Sequence, residues 1–422
     1  MSDTTSQRDD NGNGHLERSP AESLGSTLIG SDRFGEFDWT NPWPTYDRLR
    51  SESPIWENPD GLTILTRFDD CEAVLRDPRF SSSNDHADPP LILAPDDPRA
   101  LMDGGAPPLL FLDPPDHTRL RKLVSKAFTP RSIERLRPRV QQLVDGILDQ
   151  AADNGGLDVV ADLGYELPVI VICELLGVPL ADRPQFAGWS SDASRLLDDD
   201  LSPDTLNRGV IAAIHFAEYF GELFEARRRA PRDDLVSALL AVEEAGDRLG
   251  PDELRSIVVL LFIAGHETTM NLIGNGTYAL LRNRDQLVRW RDDPTLDGPA
   301  VEELLRFEGP VHLTGRIPTA DIDYNGHRFP RGKSVVTLVS AGNRDPARFE
   351  HAASLDVGRP DNHQLTFSQG IHYCLGAALA RLEGQLAIGS LIRRFPNIEL
   401  AEQPQYRDHF VLRGLQQLQV TV

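Results

Sequence analysis

The chain has 422 residues, 40% hydrophobic and 26% charged, the profile of an ordinary globular protein with a large core. Its net charge of −22, from 43 basic and 65 acidic residues, favours solubility and argues against nucleic-acid binding, which needs a Lys/Arg excess. Three widely spaced cysteines, Cys71, Cys173 and Cys374, give no disulfide framework and fit a reducing cytoplasm.

Residues 1–33, opening MSDTTSQRDDNGNGHLERSP, are polar and lack the apolar stretch of a secretion signal or membrane anchor. A disordered tail is expected there. The run LTILT at 62–66 predicts a short strand, and Phe68 to Arg76 a helix that stops before Pro78. Residues 84–116 are rich in Pro, Asp and Gly and predict a long loop, a kind that often carries function. Helical patterns dominate from Asp116 to about Gly250, with Leu136, Val140, Leu143, Ile147 and Leu148 on one face. Pro251 opens a long helix with Asp252 and Glu253 in its first turn. The longest clean apolar run, Ile257 to Gly265, is too short for a bilayer span of ~20 residues, so no membrane insertion is expected.

A further helix is predicted at about 299–307, ending before Gly309 and Pro310. Short β pieces follow at 311–340, among them RFPRG and SVVTLVS, and 341–371 reads as loop. Helix returns from about Leu375 to Arg394, with Leu375, Leu379, Leu382 and Leu386 on one face. The tail FVLRGLQQLQVTV reads as strands. The fold class is mainly α with small β-sheets, α+β.

Residues 367–376 read FSQGIHYCLG, so Cys374 stands directly before a helix. Helix-start amides and the dipole there favour negative charge and stabilise a thiolate. Gly370 and Gly376 allow tight backbone geometry and the close approach of a flat ligand. A lone cysteine is usually a buried small hydrophobe, which suffices for Cys71 and Cys173. It does not account for two glycines and His372 at fixed offsets around Cys374.

The loop resembles the haem-binding loop of cytochrome P450 enzymes, Phe-x-x-Gly-x-His-x-Cys-x-Gly. Phe367, Gly370, His372, Cys374 and Gly376 match every defined position, while Ser368 stands where many members carry a second Gly. The resemblance implies haem b with Cys374 as its axial thiolate, Phe367 on the sulfur side and His372 on a propionate. It also implies a single-domain fold over 34–422, with the haem between the long central helix and the cysteine-loop helix. That reverses the two or three domains suggested by length.

Within the long helix, AGHETT at 264–269 has poor helix propensity, and Thr can bond back to the i−4 carbonyl. A local opening is expected there. His266-Glu267 lacks the second His of a zinc-protease motif, since position 270 is Met. The hexapeptide is similar to the family's oxygen-activation motif. Thr268 then steadies the bound oxygen, Glu267 belongs to the proton route, and Ala264 and Gly265 lie against the haem face. His117 and Arg121, at i, i+4 in DPPDHTRLRKLVSKAF, resemble the propionate-binding pair, and Arg316 matches the basic residue meeting the other propionate. Glu303 and Arg306 match the structural Glu-x-x-Arg signature, with Arg359 as third member.

The implied activity is a monooxygenase that inserts one atom of O2 into a hydrophobic small molecule, by hydroxylation or epoxidation. No flavin or dinucleotide fingerprint is present, so electrons are expected from another protein, and the resemblance implies a ferredoxin with its reductase. A basic docking face is expected from Arg121, Lys122, Lys126 and Arg131. By position in the family, the pocket draws on Leu91, Ile92, Leu93, Leu109, Leu110 and Phe111 of the long loop. It adds Leu260 and Leu261, Val311 and Leu313, and Val411 and Leu412. A cytoplasmic monomer is expected. Two other readings stand beside this one: a peroxide-driven peroxygenase, and a haem-binding sensor without turnover.

Overall fold

The computed structural model describes residues 37–58, 61–88, 106–126, 128–197, 202–241 and 249–422. The expected tail at 1–33 and the pocket residues Leu91, Ile92 and Leu93 lie outside these. The main helices are α1 (Trp43–Glu52), α2 (Phe68–Arg76), α3 (Asp116–Ser125), α4 (Arg137–Asn154) and α5 (Glu166–Leu176). They continue with α6 (Phe186–Ser194), α7 (Pro203–Arg229), α8 (Pro251–Arg282), α9 (Asp297–Glu308) and α10 (Ala377–Arg394).

The strands are β1 (Ile55–Glu57), β2 (Thr63–Leu65), β3 (Phe80–Ser81), β4 (Gly156–Asp158) and β5 (Thr314–Pro318). After them come β6 (Ile322–Tyr324), β7 (His327–Phe329), β8 (Val335–Thr337), β9 (Glu399–Leu400) and β10 (Gln419–Thr421). A five-stranded sheet runs β1-β2-β8-β5-β3, with β2 and β8 parallel; β4-β10-β9 and β6-β7 are separate. The expected strands of the tail shrink to β10 and isolated bridges at Leu412 and Leu415. The cysteine-loop helix starts at Ala377 rather than Leu375.

Helix α8 is the axis of the fold. Pro251 fits its first turn because that position needs no amide hydrogen, and Glu253 accepts the Gly250 N–H at 2.8 Å. The helix packs against Val159–Tyr165, α5, α6, α7, α9 and α10. It is long and apolar enough to cross a membrane, but 61% of its most apolar window is buried inside the protein. Arg119 of α3 pairs with Glu253, which ties α3 to the start of α8.

The local opening expected at 264–269 is not there; α8 runs unbroken. The Thr268 hydroxyl donates to the Ala264 carbonyl at 2.9 Å. That carbonyl has two lone pairs, so the extra bond is added without displacing the helix ladder.

Near the cysteine loop, Glu303 and Arg306 are fully buried in α9. Arg306 donates to both Glu303 oxygens at 2.7 and 2.8 Å, and to the carbonyls of Asn343, Ala352 and Ser354. Glu303 also accepts from Arg359 at 3.0 Å, Asn362 at 3.0 Å and the Asp356 amide at 2.8 Å. A buried carboxylate is tolerable only when paired and bonded in this way. Arg306→Ala strips the charge partner and orphans three carbonyls. It is expected to cost about 3–5 kcal/mol in chemical denaturation, and a loss below about 1 kcal/mol would contradict this account.

Candidate functional site

Cys71 and Cys173 are buried, whereas Cys374 is exposed. Cys71 donates to the Leu65 carbonyl at 3.4 Å within an apolar cluster. Burial pushes its thiol well up, and lifts Cys173 to about 12. Cys374 differs in its surroundings. Protein atoms crowd one side and raise its titration, while the Gly376 amide, Arg121, Arg381 and the Ala377 amide pull it down. Burial outweighs them, so the thiol stays above its ordinary value, though two helix-start amides and two guanidiniums act toward the thiolate.

The loop is held to this shape. The Cys374 amide donates to the Phe367 carbonyl at 2.8 Å, and Arg381 lies over the Phe367 ring at 4.6 Å. Arg381 also pairs with Glu302 and donates to the Tyr373 hydroxyl at 3.1 Å. Gly370 sits at φ 68°, and a Cβ there would stand 2.7 Å from the Leu75 carbonyl, so only glycine fits. Gly376 has an ordinary φ of −84°, so the tight geometry expected of it is absent. It leaves open space instead, since a Cβ there would meet nothing within 4 Å. Ser368 adopts φ 59°, the left-handed region, and its buried hydroxyl has no hydrogen-bond partner.

Four basic side chains gather beside the loop. The His117 and His372 rings lie 4.3 Å apart. Arg121 donates to the Tyr373 carbonyl, and β5 presents Arg316 from the sheet, buried. Burial lowers His372 to about 3, with Arg316, His117 and Arg121 adding repulsion that Asp113 partly relieves. Burial and then Arg121 lower His117; burial brings Arg316 down to about 10. Neither nitrogen of buried His117 has a hydrogen-bond partner, nor has Nε2 of His372. Two inward arginines and two unpartnered imidazoles form a receptor for anionic oxygens. Arg121 thereby leaves the expected surface patch, while Lys122, Lys126 and Arg131 remain exposed.

On α8, Ala264 is exposed although it lies mid-helix in the core, Gly265 and Thr268 are half-buried, and Glu267 is buried. Glu267 pairs with Arg407 at 2.6 Å. That arginine is 140 positions away, and no motif marks it. Among the pocket residues, Val311 pairs with Leu412, and the Val411 carbonyl accepts from His312 at 3.1 Å, so these three are neighbours. Leu260 and Leu261 are half-buried on α8, and the turn Leu109–Phe111 packs on that helix with Leu110 and Phe111 exposed. Leu313 packs on the aromatic cluster of Phe37, Trp39 and Phe410.

The cytochrome P450 family model matches residues 298–420. Vitamin D(3) 25-hydroxylase of Pseudonocardia autotrophica is 42% identical over 400 residues, covering 93% of this chain and 96% of that protein. The 6-deoxyerythronolide B hydroxylase of Saccharopolyspora erythraea is 39% identical over 405 residues, 92% and 97% of the two chains. The structure of P450BioI with an acyl carrier protein ligated to hexadec-9Z-enoic acid superposes with a TM-score of 0.84 at 38% identity, covering 90% of this chain and 97% of that one.

The chain belongs to the cytochrome P450 family. It is an enzyme of the monooxygenase class, and the family's cofactor is haem b on a cysteine thiolate. The residues present fit that group: one exposed cysteine at a helix start, open space at Gly376, and unpartnered imidazoles that match propionates.

Ser368 provides a local test of the loop. A non-glycine residue in the left-handed region costs about 1–2 kcal/mol, and glycine returns about 0.5–1 kcal/mol of that as chain entropy. Ser368→Gly is therefore expected to raise stability by ~0.5–1 kcal/mol in thermal melting. An unchanged or lower melting temperature would contradict the strain.

Proposed function

We propose that this P450 inserts one atom of O2 into an apolar small molecule and reduces the other to water, using two electrons and two protons. The observation that carries the reading is the convergence of exposed Cys374 with unpartnered His117 and His372 and inward Arg121 and Arg316. In this reading Cys374 would bind the haem iron as a thiolate, with Phe367 beside it and Gly376 leaving room for the cofactor. His117, Arg121, Arg316 and His372 hold the propionates. Ala264 and Gly265 of α8 would lie against the bound haem. The bound haem supplies oxygen activation.

The protein supplies position and protons. Glu267 takes protons from solvent, and the Thr268 hydroxyl passes them to the oxygen side, for which it must leave the Ala264 carbonyl. Glu303 and Arg306 keep the loop in register. Electrons come from a ferredoxin and its reductase, and exposed Lys122, Lys126 and Arg131 suit an acidic donor. Val311, Val411, Leu412, Leu261 and Leu110 give the substrate an apolar setting. The relatives named for vitamin D(3) and 6-deoxyerythronolide B hydroxylation support hydroxylation of a hydrophobic molecule. Residues 34–422 form one catalytic domain in this reading, working as a monomer in the cytoplasm.

An optical-shift screen of apolar compounds identifies a substrate, and Thr268→Ala then tests the proton route. With ferredoxin, reductase and NADPH, the variant is expected to keep consuming oxygen while product per NADPH falls by about 10²-fold and hydrogen peroxide accumulates. Wild-type turnover on peroxide alone that matches the ferredoxin-driven rate, with Thr268→Ala unaffected, would favour a peroxygenase and overturn the proposal.

A further inference from the structure

We propose that Asp113 is a positioning residue of the cofactor site: its carboxylate ties the two halves of the propionate receptor together, and its charge lowers the reduction potential of the bound haem. The inference rests on the haem reading given above.

The receptor is built from separate parts of the fold. Helix α3 brings His117 and Arg121, and strand β5 brings Arg316. Asp113 lies where the two meet. Its carbonyl accepts the His117 amide at 2.9 Å, at the start of α3. Its side chain turns to β3 instead. The Ser81 hydroxyl donates to Oδ2, and the Ser82 amide donates to Oδ1 at 3.3 Å. Ser81 stands opposite Ile317, the residue after Arg316, in the pairing of β3 with β5. One residue therefore holds the helix with its backbone and the sheet with its side chain.

The strand needs that support. β3 has only two residues and lies at the edge of its sheet, so the ladder alone holds it poorly. The Ser81 hydroxyl also accepts the Ser83 amide at 2.8 Å, which fixes it from a second side.

The same carboxylate acts at a distance. Around it stand His117 of α3, Arg316 of β5, His372 of the cysteine loop and His86, whose Nε2 is 3.5 Å from Oδ2. Burial works against the charge of Arg316, and Asp113 supports it. In the loaded site Arg121 and Arg316 answer the two propionates, which leaves the Asp113 carboxylate as negative charge in excess. Such a charge favours ferric over ferrous haem, because the oxidised centre carries one more positive charge. It also repels the propionates. Asp113 thus helps the cofactor to seat by its bonds and opposes it by its charge, and substitution separates the two.

Asparagine keeps the tie, since its oxygen can face the Ser82 amide and its NH2 can donate to the Ser81 hydroxyl. Ser81→Ala weakens the tie and leaves the charge. Haem-loaded full-length enzyme without substrate is compared at pH 8, above the range where imidazoles ordinarily charge. The midpoint potential is read by redox titration, and haem retention by the rate of transfer to excess apomyoglobin. Asp113→Asn is expected to shift the ferric–ferrous equilibrium about threefold to tenfold toward ferrous, a rise of roughly 30–60 mV, and to lose haem no faster than wild type. Ser81→Ala is expected to keep the wild-type potential and to lose haem about threefold faster, as one lost hydrogen bond implies. Asp113→Ala shows both changes. A purely structural role would leave the potential of Asp113→Asn at the wild-type value, and that result overturns the charge effect. Wild-type haem loss in both Ser81→Ala and Asp113→Ala overturns the tie. A wild-type protein that binds no haem would instead overturn the reading on which the inference rests.

Discussion

Positive charge brought into a low-dielectric interior is costly unless an anion meets it. This chain, with a net charge of −22, nevertheless gathers His117, Arg121, Arg316 and His372 into one buried region beside Cys374. Asp113 offers a carboxylate to His117, Arg316 and His372. The imidazoles remain neutral under that pressure, and both nitrogens of His117 and Nε2 of His372 stay unpartnered. A flat dianionic cofactor with a thiolate-bound metal answers every one of these demands, and the family's haem is such a group.

Much of the fold serves to hold that region together. Helix α3 brings His117 and Arg121, and the Arg119–Glu253 pair fixes it to the start of α8. The five-stranded sheet delivers Arg316 through β5. Glu303, with Arg306 and Arg359, pins the irregular chain that leads into the cysteine loop. Helix α8 then forms the facing wall, unbroken, with Ala264 exposed at its middle. The buried ion pairs are weak evidence of stability by themselves, but here they fix loops that no regular structure holds.

The sequence made legible what is local. The cysteine loop is ten consecutive residues with a fixed spacing, and α2 occupies the predicted Phe68–Arg76. Arg359 joins Glu303, as its position before the cysteine loop suggests. The expected opening of α8 failed, since packing against Val159–Tyr165 and five neighbouring helices outweighs weak local propensity. Arg121 is expected both as a propionate partner and in the basic docking face, and helical spacing alone does not say that it turns to the Tyr373 carbonyl. Arg407 escaped altogether. Its partner lies 140 residues earlier, and a pairing made by chain folding leaves no trace in spacing.

Everything turns on which cysteine meets the metal. The direct measurement is the absorption of the reduced, carbon monoxide-bound, haem-loaded enzyme for Cys374→Ser beside Cys71→Ser and Cys173→Ser. The account predicts that the red-shifted thiolate band persists in the last two and vanishes in Cys374→Ser. A band that survives in Cys374→Ser would contradict it.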